Sequence, residues 1–231
     1  MKPIVLSLLI VVFGTLTTFA QLQRAHYKVV SEFKKQPDSI QANQNLSLAV
    51  LNQIMQQETL VPILETTATP NRIKFRYLPP QQTNSGLSIQ MPNVLIVYNK
   101  EKEKTTIYNA ETQIVKEIWM LSSGEHELLK DKDSLINGKN LRVIELGLKD
   151  SPEKGTRLFY IDETLPENIT PIHGDFQKEL NVKGGIREYH VIHEDKILKY
   201  ILKSHKEIPT EVFLFHNITT LPEPIEKIAF F

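Results

Sequence analysis

The stretch Arg72-Ile73-Lys74-Phe75-Arg76-Tyr77 alternates basic and apolar side chains without a break. Successive side chains of a β-strand point to opposite faces, so Ile73, Phe75 and Tyr77 are predicted to face a core while the basic residues face water. The same period of two recurs through the rest of the chain after Pro70. The pattern indicates a mainly β protein.

Further alternating runs follow, with turn signals such as Asn137-Gly138 and Glu194-Asp195 between them. Strands joined by tight links are antiparallel neighbours, because a parallel return takes about a dozen residues. The expected architecture is a large, strongly curved antiparallel meander or half-barrel. The additional strands are predicted at residues 93–99, 105–109, 113–121, 140–147, 156–162, 185–193, 196–204 and 211–218.

The hairpin over residues 185–204 has a predicted register. A tight turn at Glu194-Asp195 pairs Val191 with Leu198 and Tyr189 with Tyr200. One face of the hairpin then carries Tyr189, Val191, Leu198, Tyr200 and Leu202, and we expect it to be the core face.

The segment before Pro70 is interpreted as a strand, a helix and a crossing. Residues 27–33 alternate, whereas Val50 and Ile54 continue an apolar stripe that begins at Leu46 and predicts one amphipathic helix over 43–57. Residues 59–70 are rich in threonine and proline and are interpreted as an irregular crossing into the sheet that could include a short extra helical turn. The fold class is therefore α+β, with the N-terminal helix packed on the sheet.

The N-terminus has the layout of a secretory signal peptide. Lys2 is followed by an apolar block from Ile4 to Phe13 and by a stretch of small residues that closes on Ala20. A membrane anchor is the alternative, but a spanning helix needs about 20 apolar residues. The predicted organisation is a signal peptide over 1–20 and a single β-rich domain over 21–231, exported to the periplasm or the outer cell surface, with no stable membrane span after cleavage.

Composition excludes several classes of site. The 231 residues include no cysteine, which removes disulfides, zinc-thiolate centres and thiol nucleophiles. The 27 basic and 27 acidic side chains balance, which argues against a nucleic-acid partner. Nine glycines are few, so phosphate-cradling glycine loops are not expected, and no cofactor is predicted.

Three motifs that suggest chemistry are weak. His126-Glu127-Leu128-Leu129-Lys130 lacks the second histidine of a zinc helix and is interpreted as a charged loop. His190 and His193 lie on one strand at a spacing that points them to opposite faces, so they cannot chelate a metal together. Asp162-Glu163 with His173 and Asp175 could form an acid/base site, but polar residues are also ordinary at strand ends. We predict no catalytic residue and no metal site.

The stretches Leu158–Pro166, Pro171–Phe176 and Gly184–Ile186 resemble the C-terminal half of the GLPGLI family of secreted bacterial proteins. Asn181 to Ile186 occupies the position of the naming hexapeptide, of which Gly184 and Ile186 match. The resemblance is also to the wider superfamily of half-barrels that includes lipoprotein carriers. It implies an incomplete antiparallel barrel with a helix near its open side, and it implies no catalytic residue.

Two functions follow from a curved sheet with one apolar face. The first is a non-catalytic binding module for a lipid or acyl chain, with Val50, Ile54, Ile73, Phe75 and Tyr77 as ligand-binding residues. The second is a structural or interaction protein of an envelope assembly, whose partner is an envelope protein. A cavity between helix and sheet would favour the first, and a packed interior the second.

Overall fold

The computed structural model describes residues 22–34, 61–79, 94–109, 114–119, 126–149, 155–172, 180–208 and 226–229. These residues form twelve strands of one sheet, and no helix lies among them. The strands are β1 (Leu22–Phe33), β2 (Ile63–Ala68), β3 (Arg72–Leu78), β4 (Val94–Asn99), β5 (Lys104–Asn109), β6 (Ile114–Trp119), β7 (His126–Ile136), β8 (Lys139–Leu148), β9 (Gly155–Asp162), β10 (Gly185–His193), β11 (Lys196–Ile208) and β12 (Glu226–Ala229).

The strand order is β12-β6-β5-β4-β3-β2-β1-β11-β10-β9-β8-β7. The sheet consists of two meanders rather than the single one expected. The first runs from β1 to β6 and the second from β7 to β11, and they join where β1 pairs with β11 along its whole length. Neighbouring strands are antiparallel except β12 and β6, which are parallel. The sheet is open, since β12 and β7 stand at opposite ends of the order.

Chain connectivity requires the sheet to curve. β6 ends at Trp119 and β7 begins at His126, although nine strands separate β6 from β7 in the sheet. Ten strand spacings amount to about 48 Å along the sheet, whereas the chain from Trp119 to His126 spans at most about 25 Å. The two ends of the sheet must therefore approach each other.

Alternation and register were predicted well. β3 covers the opening stretch, and Ile73 and Phe75 are buried while Arg76 is exposed. In the β10–β11 hairpin, Val191 pairs with Leu198 and Tyr189 pairs with Tyr200, which confirms the expected register. Asn137 and Gly138 both have positive φ in the turn between β7 and β8.

Two segments were assigned wrongly. Residues 63–68 form β2 rather than an irregular crossing, because Thr66 and Thr67 are β-branched and fit a strand buried between β1 and β3. Residues 126–130, interpreted as a charged loop, form the first part of β7. Charged side chains are common on a strand at the end of a sheet. Neither segment alternates apolar and polar residues clearly.

The helix predicted over 43–57 lies outside the described residues, as does the strand predicted over 211–218. Within the described part of the chain, no helix has the length and apolar character needed to cross a membrane.

The confirmed hairpin register has a measurable consequence. Leu198→Asp should lower the free energy of unfolding by about 2 kcal/mol, because it places a carboxylate among apolar neighbours. Lys199→Gln should cost less than about 1 kcal/mol, since Lys199 lies on the opposite face and pairs with Glu32 at the surface. Urea unfolding of the two variants compares them directly, and equal midpoints would contradict the assignment of faces.

Candidate functional site on the concave face

One face of the sheet carries two apolar clusters. The first lies on β1 to β4 and includes Tyr27, Ile73 and Phe75. The second lies on β8 to β10 and includes Phe159 and Tyr189. Cross-strand partners share a face, so the pairings that link these strands place both clusters on the same side.

The sheet curls toward this side. The hydroxyl of Tyr27 on β1 donates a hydrogen bond to the carbonyl of Ile186 on β10 at 2.7 Å, although β11 stands between the two strands in the order. In a flat sheet the two backbones would lie about 9.6 Å apart. Burial raises the pKa of Tyr27 well above its usual value, which keeps the hydroxyl protonated as a donor. We call this side the concave face.

Part of the concave face is covered by the segment 163–172, which follows β9. Its Leu165 and Ile169 belong to the first cluster, and the carbonyl of Ile169 accepts a hydrogen bond from the Ile186 amide at 2.8 Å. A Cβ at Gly185 would lie 2.7 Å from the Pro166 carbonyl oxygen and 2.8 Å from the Leu165 Cβ. Glycine at this position therefore lets the covering segment rest directly on β10.

The predicted site residues fall into different environments. Ile73 and Phe75 are 1% and 2% exposed, in the cluster that Leu165 and Ile169 complete. Tyr77 is half-buried and packs against the edge of that cluster. Val50 and Ile54 lie outside the described residues. The structure thus makes Ile73 and Phe75 part of the packed core and leaves Tyr77 at a border.

That border is a band of half-buried side chains, which we call the tyrosine band and which consists of Tyr77, Ile96, Leu198, Tyr200 and Leu202. Its two tyrosine hydroxyls lie 3.3 Å apart, and Tyr189 stacks on Tyr200 with ring centroids 5.8 Å apart. Burial raises the pKa of Tyr200, so its phenol is neutral at all ordinary pH values.

Three residues of this band, Leu198, Tyr200 and Leu202, were predicted only as core. The alternation of β11 placed them on the apolar face, but alternation does not show which part of a face a distant loop covers. The residues that would line a site are the half-buried ones at the border of the first cluster.

A cation of the concave face, Arg157, lies beside Tyr189. Arg157 pairs in register with Val191 on β10 and with Leu146 on β8, so it shares their face. Its guanidinium hydrogen-bonds to the Tyr189 side chain. Burial raises the pKa of Tyr189, and the charge and the hydrogen bond of Arg157 lower it by a smaller amount. The face therefore offers a positive charge beside aromatic and aliphatic surface.

Asp162 has a structural role in the geometry observed. Its side chain is buried, and one carboxylate oxygen accepts hydrogen bonds from Arg187 Nε and Nη2 at 2.9 and 2.6 Å. The other oxygen accepts from the Thr164 amide at 3.0 Å. Glu163 beside it is exposed, and His173 and Asp175 lie outside the described residues. These bonds tie the end of β9 to β10 and to the start of the covering segment.

The Asp162 contacts predict a loss of stability in acid. Burial alone would raise its pKa, but the hydrogen bonds from Thr164 and Arg187 outweigh burial and lower it. Their contribution is present above the unfolded-chain pKa of about 3.9 and is lost as pH falls through that value toward the lower folded pKa. Asp162→Asn should lower the free energy of unfolding by about 2 kcal/mol at pH 7. Urea unfolding should show a smaller difference between variant and wild type at pH 3, and an unchanged difference would contradict this role.

The remaining histidine motifs do not form a site among the described residues. His190 faces Glu188, with 3.3 Å between Nε2 and the carboxylate, and His193 is exposed at the end of β10. His126 begins β7. No group of three or more metal-ligating side chains occurs in the described ranges.

Comparison with known proteins gives distant similarities to solved structures. No family model matches the chain, and no curated protein matches it. Among solved structures it is similar to an uncharacterized conserved protein from Thermus thermophilus, with a TM-score of 0.42 and 8% identity over 97% of this chain and 99% of that one. A DUF1329 family protein from Desulfovibrio piger gives a TM-score of 0.38 and 9% identity over 94% and 99% of the two chains.

A third structure is named as an outer membrane lipoprotein-sorting protein domain and comes from Vibrio parahaemolyticus. It gives a TM-score of 0.36 and 8% identity over 87% of this chain and 92% of that one. At these identities and TM-scores, similarity says nothing about what the chain binds. Membership of the GLPGLI family stays a prediction.

Proposed function

We propose that the protein is an exported, non-catalytic binding module that holds a lipid or acyl chain on the tyrosine band of its concave face. The observation that carries the proposal is the half-buried state of the band, next to a fully buried cluster of the same face. Binding of an apolar ligand removes this apolar surface from water, which favours the complex in free energy.

The polar groups of the band suit an amphiphile rather than a plain hydrocarbon. Tyr77 and Tyr200 share one hydrogen bond, so one phenol proton remains to donate to a ligand oxygen. Arg157 adds a cation on the same face. Apolar walls with a few placed polar groups are typical of small-molecule sites.

Export rests on the N-terminal sequence. Residues 1–20 have the charge, the apolar block and the small-residue end of a signal peptide. We expect a mature N-terminus at Gln21 in the periplasm or on the outer cell surface, and the intact mass of the protein recovered from the cell envelope would test it. A mass that retains residues 1–20 would contradict cleavage.

A fluorescent fatty acid titrated into the purified protein tests the binding site. Leu202→Gln, within the tyrosine band, should raise the probe Kd by about tenfold, which corresponds to losing most of one buried leucine side chain. Ile201→Gln is the matched control, because Ile201 is equally half-buried on the same strand but pairs with Glu188 on the opposite face.

Circular dichroism would show that both variants are folded during the titration. Equal probe affinities for the two variants would contradict the location of the site. Failure of the wild type to bind any acyl probe would remove the binding-module proposal.

The second candidate is an interaction protein of an envelope assembly, and β7 favours it. This strand ends the sheet order, and Leu128, Leu129 and Leu135 on it are 59%, 45% and 73% exposed. An exposed edge can accept a strand from another protein. In that case Leu128→Ser with Leu135→Ser should abolish co-sedimentation with isolated envelopes, while probe binding stays unchanged.

A further inference from the structure

The face opposite the concave face carries a compact group of polar side chains on β1, β2 and β3. In one cross-strand row, Arg24 pairs with Thr67 and Thr67 pairs with Lys74. In the next row, His26 pairs with Glu65 and Glu65 pairs with Arg76. Paired residues share a face and the rows are adjacent, so these six side chains form one patch. We call it the basic patch.

The basic patch has more positive than negative charge. Glu65 is its single carboxylate, and it lies 3.1 Å from His26 Nε2 and 3.7 Å from Arg24 Nε. Arg24, Lys74 and Arg76 are its three basic side chains besides His26. Among the described residues, Glu65 is the one carboxylate paired with Arg24, and neither Lys74 nor Arg76 forms an ion pair. The patch therefore has one carboxylate for Arg24, Lys74 and Arg76 together.

This excess charge is partly removed from water. The Nε of Arg24 is fully buried and has no hydrogen-bond partner in the described part of the chain, although the side chain as a whole is 26% exposed. Thr67, between the two cations of its row, is 4% exposed. Burial lowers the pKa of Lys74, and Arg76 and Arg24 lower it further against the attraction of Glu65. Partly buried charge of one sign is costly unless a counter-charge compensates it.

We propose that the basic patch binds a phosphate group, either free phosphate or the phosphate of an anionic ligand. Adjacent strands lie about 4.8 Å apart, so the backbones of Arg24 and Lys74 stand about 10 Å apart on either side of Thr67. The guanidinium and the ammonium thus flank Thr67 on one face of the sheet, and both groups can donate hydrogen bonds to the oxygens of one phosphate. The patch lies on the opposite face from the tyrosine band and is independent of the proposed acyl site.

Isothermal titration of the full-length mature protein with inorganic phosphate at low salt tests the proposal. We expect saturable binding, and Arg24→Gln and Lys74→Gln should each raise the Kd by about tenfold, as loss of one charge-assisted hydrogen bond predicts. Lys199→Gln is the matched control, because Lys199 lies on the same face but already pairs with Glu32. Thr67→Val tests the patch without changing its charge and should weaken binding less.

Vesicles distinguish the two sources of phosphate. Binding to phosphatidylglycerol vesicles but not to inorganic phosphate, lost in Lys74→Gln, supports a lipid headgroup as the ligand. Binding to inorganic phosphate in solution supports free phosphate. No binding to either, or binding that Arg24→Gln and Lys74→Gln leave unchanged while circular dichroism shows them folded, overturns the proposal. The fatty-acid probe should bind all of these variants like wild type, so failure here is separate from failure of the acyl site.

Discussion

Replacing Gly184 with alanine is expected to lower the free energy of unfolding by more than about 4 kcal/mol. Gly184 has φ of 96°, which side chains rarely adopt, and an added Cβ would lie 2.5 Å from the Asp162 carbonyl oxygen and 2.6 Å from the Glu163 Cα. Both atoms belong to the backbone where β9 leads into the covering segment. Relief of the clash requires the backbone of Asp162 and Glu163 to move away from Gly184.

Gly138→Ala is the matched control for this prediction. Gly138 also has a positive φ of 77°, but a Cβ added there, in the β7–β8 turn, would meet no atom within 4 Å. Its substitution should cost about 1 kcal/mol, the backbone effect alone. Thermal and urea unfolding of the two variants would separate conformational strain from steric clash. Equal destabilisation would mean that the covering segment does not press on Gly184.

Phe75→Ala is expected to lower the free energy of unfolding by about 3–5 kcal/mol, because it leaves a cavity in a fully buried cluster. Phe75 is 2% exposed and shares its cluster with Leu165 and Ile169 of the covering segment. Tyr77→Phe, one step along the same face of β3, removes only a hydroxyl and should cost about 1 kcal/mol. Urea unfolding monitored by circular dichroism measures both.

The same pair of variants separates a core residue from a ligand contact. Probe affinity should be preserved in Phe75→Ala under conditions where the variant is folded, and it should fall in Tyr77→Phe if the phenol donates to the ligand. A Phe75→Ala protein as stable as wild type but unable to bind the probe would indicate that Phe75 contacts the ligand and is not a core residue.

The strands that were predicted correctly share a clear alternation of apolar and polar residues. β3 and the β10–β11 hairpin are examples, and the register of the hairpin followed from the short turn at Glu194-Asp195. β2 and β7 lack this alternation. β2 is buried in the middle of the sheet, and β7 at its end carries charge on both faces, so the pattern expected of a half-buried strand is absent from each.

The candidate site was predictable only in part. The apolar face of β3 and β11 followed from residue periodicity, which correctly grouped Ile73, Phe75 and Tyr77. Which of them a ligand could reach depends on the covering segment, and Leu165 and Ile169 approach β3 through tertiary packing that no local pattern records. The basic patch was likewise hidden, because its members come from three strands and only the register brings them together.

The pairing of β1 with β11 has a consequence for how the protein folds. Leu22 pairs with Ile208, so β1 finds one of its two neighbours only in β11, ten strands later along the chain. Closing so long a loop costs entropy before any contact compensates it, and folding slows as the sequence separation of contacts rises. During synthesis, β1 to β6 therefore emerge before the strand that pairs with the other edge of β1. We expect the β1–β11 pairing to form after the two meanders, and until it forms the free edge of β1 is open to pairing with a strand of another chain.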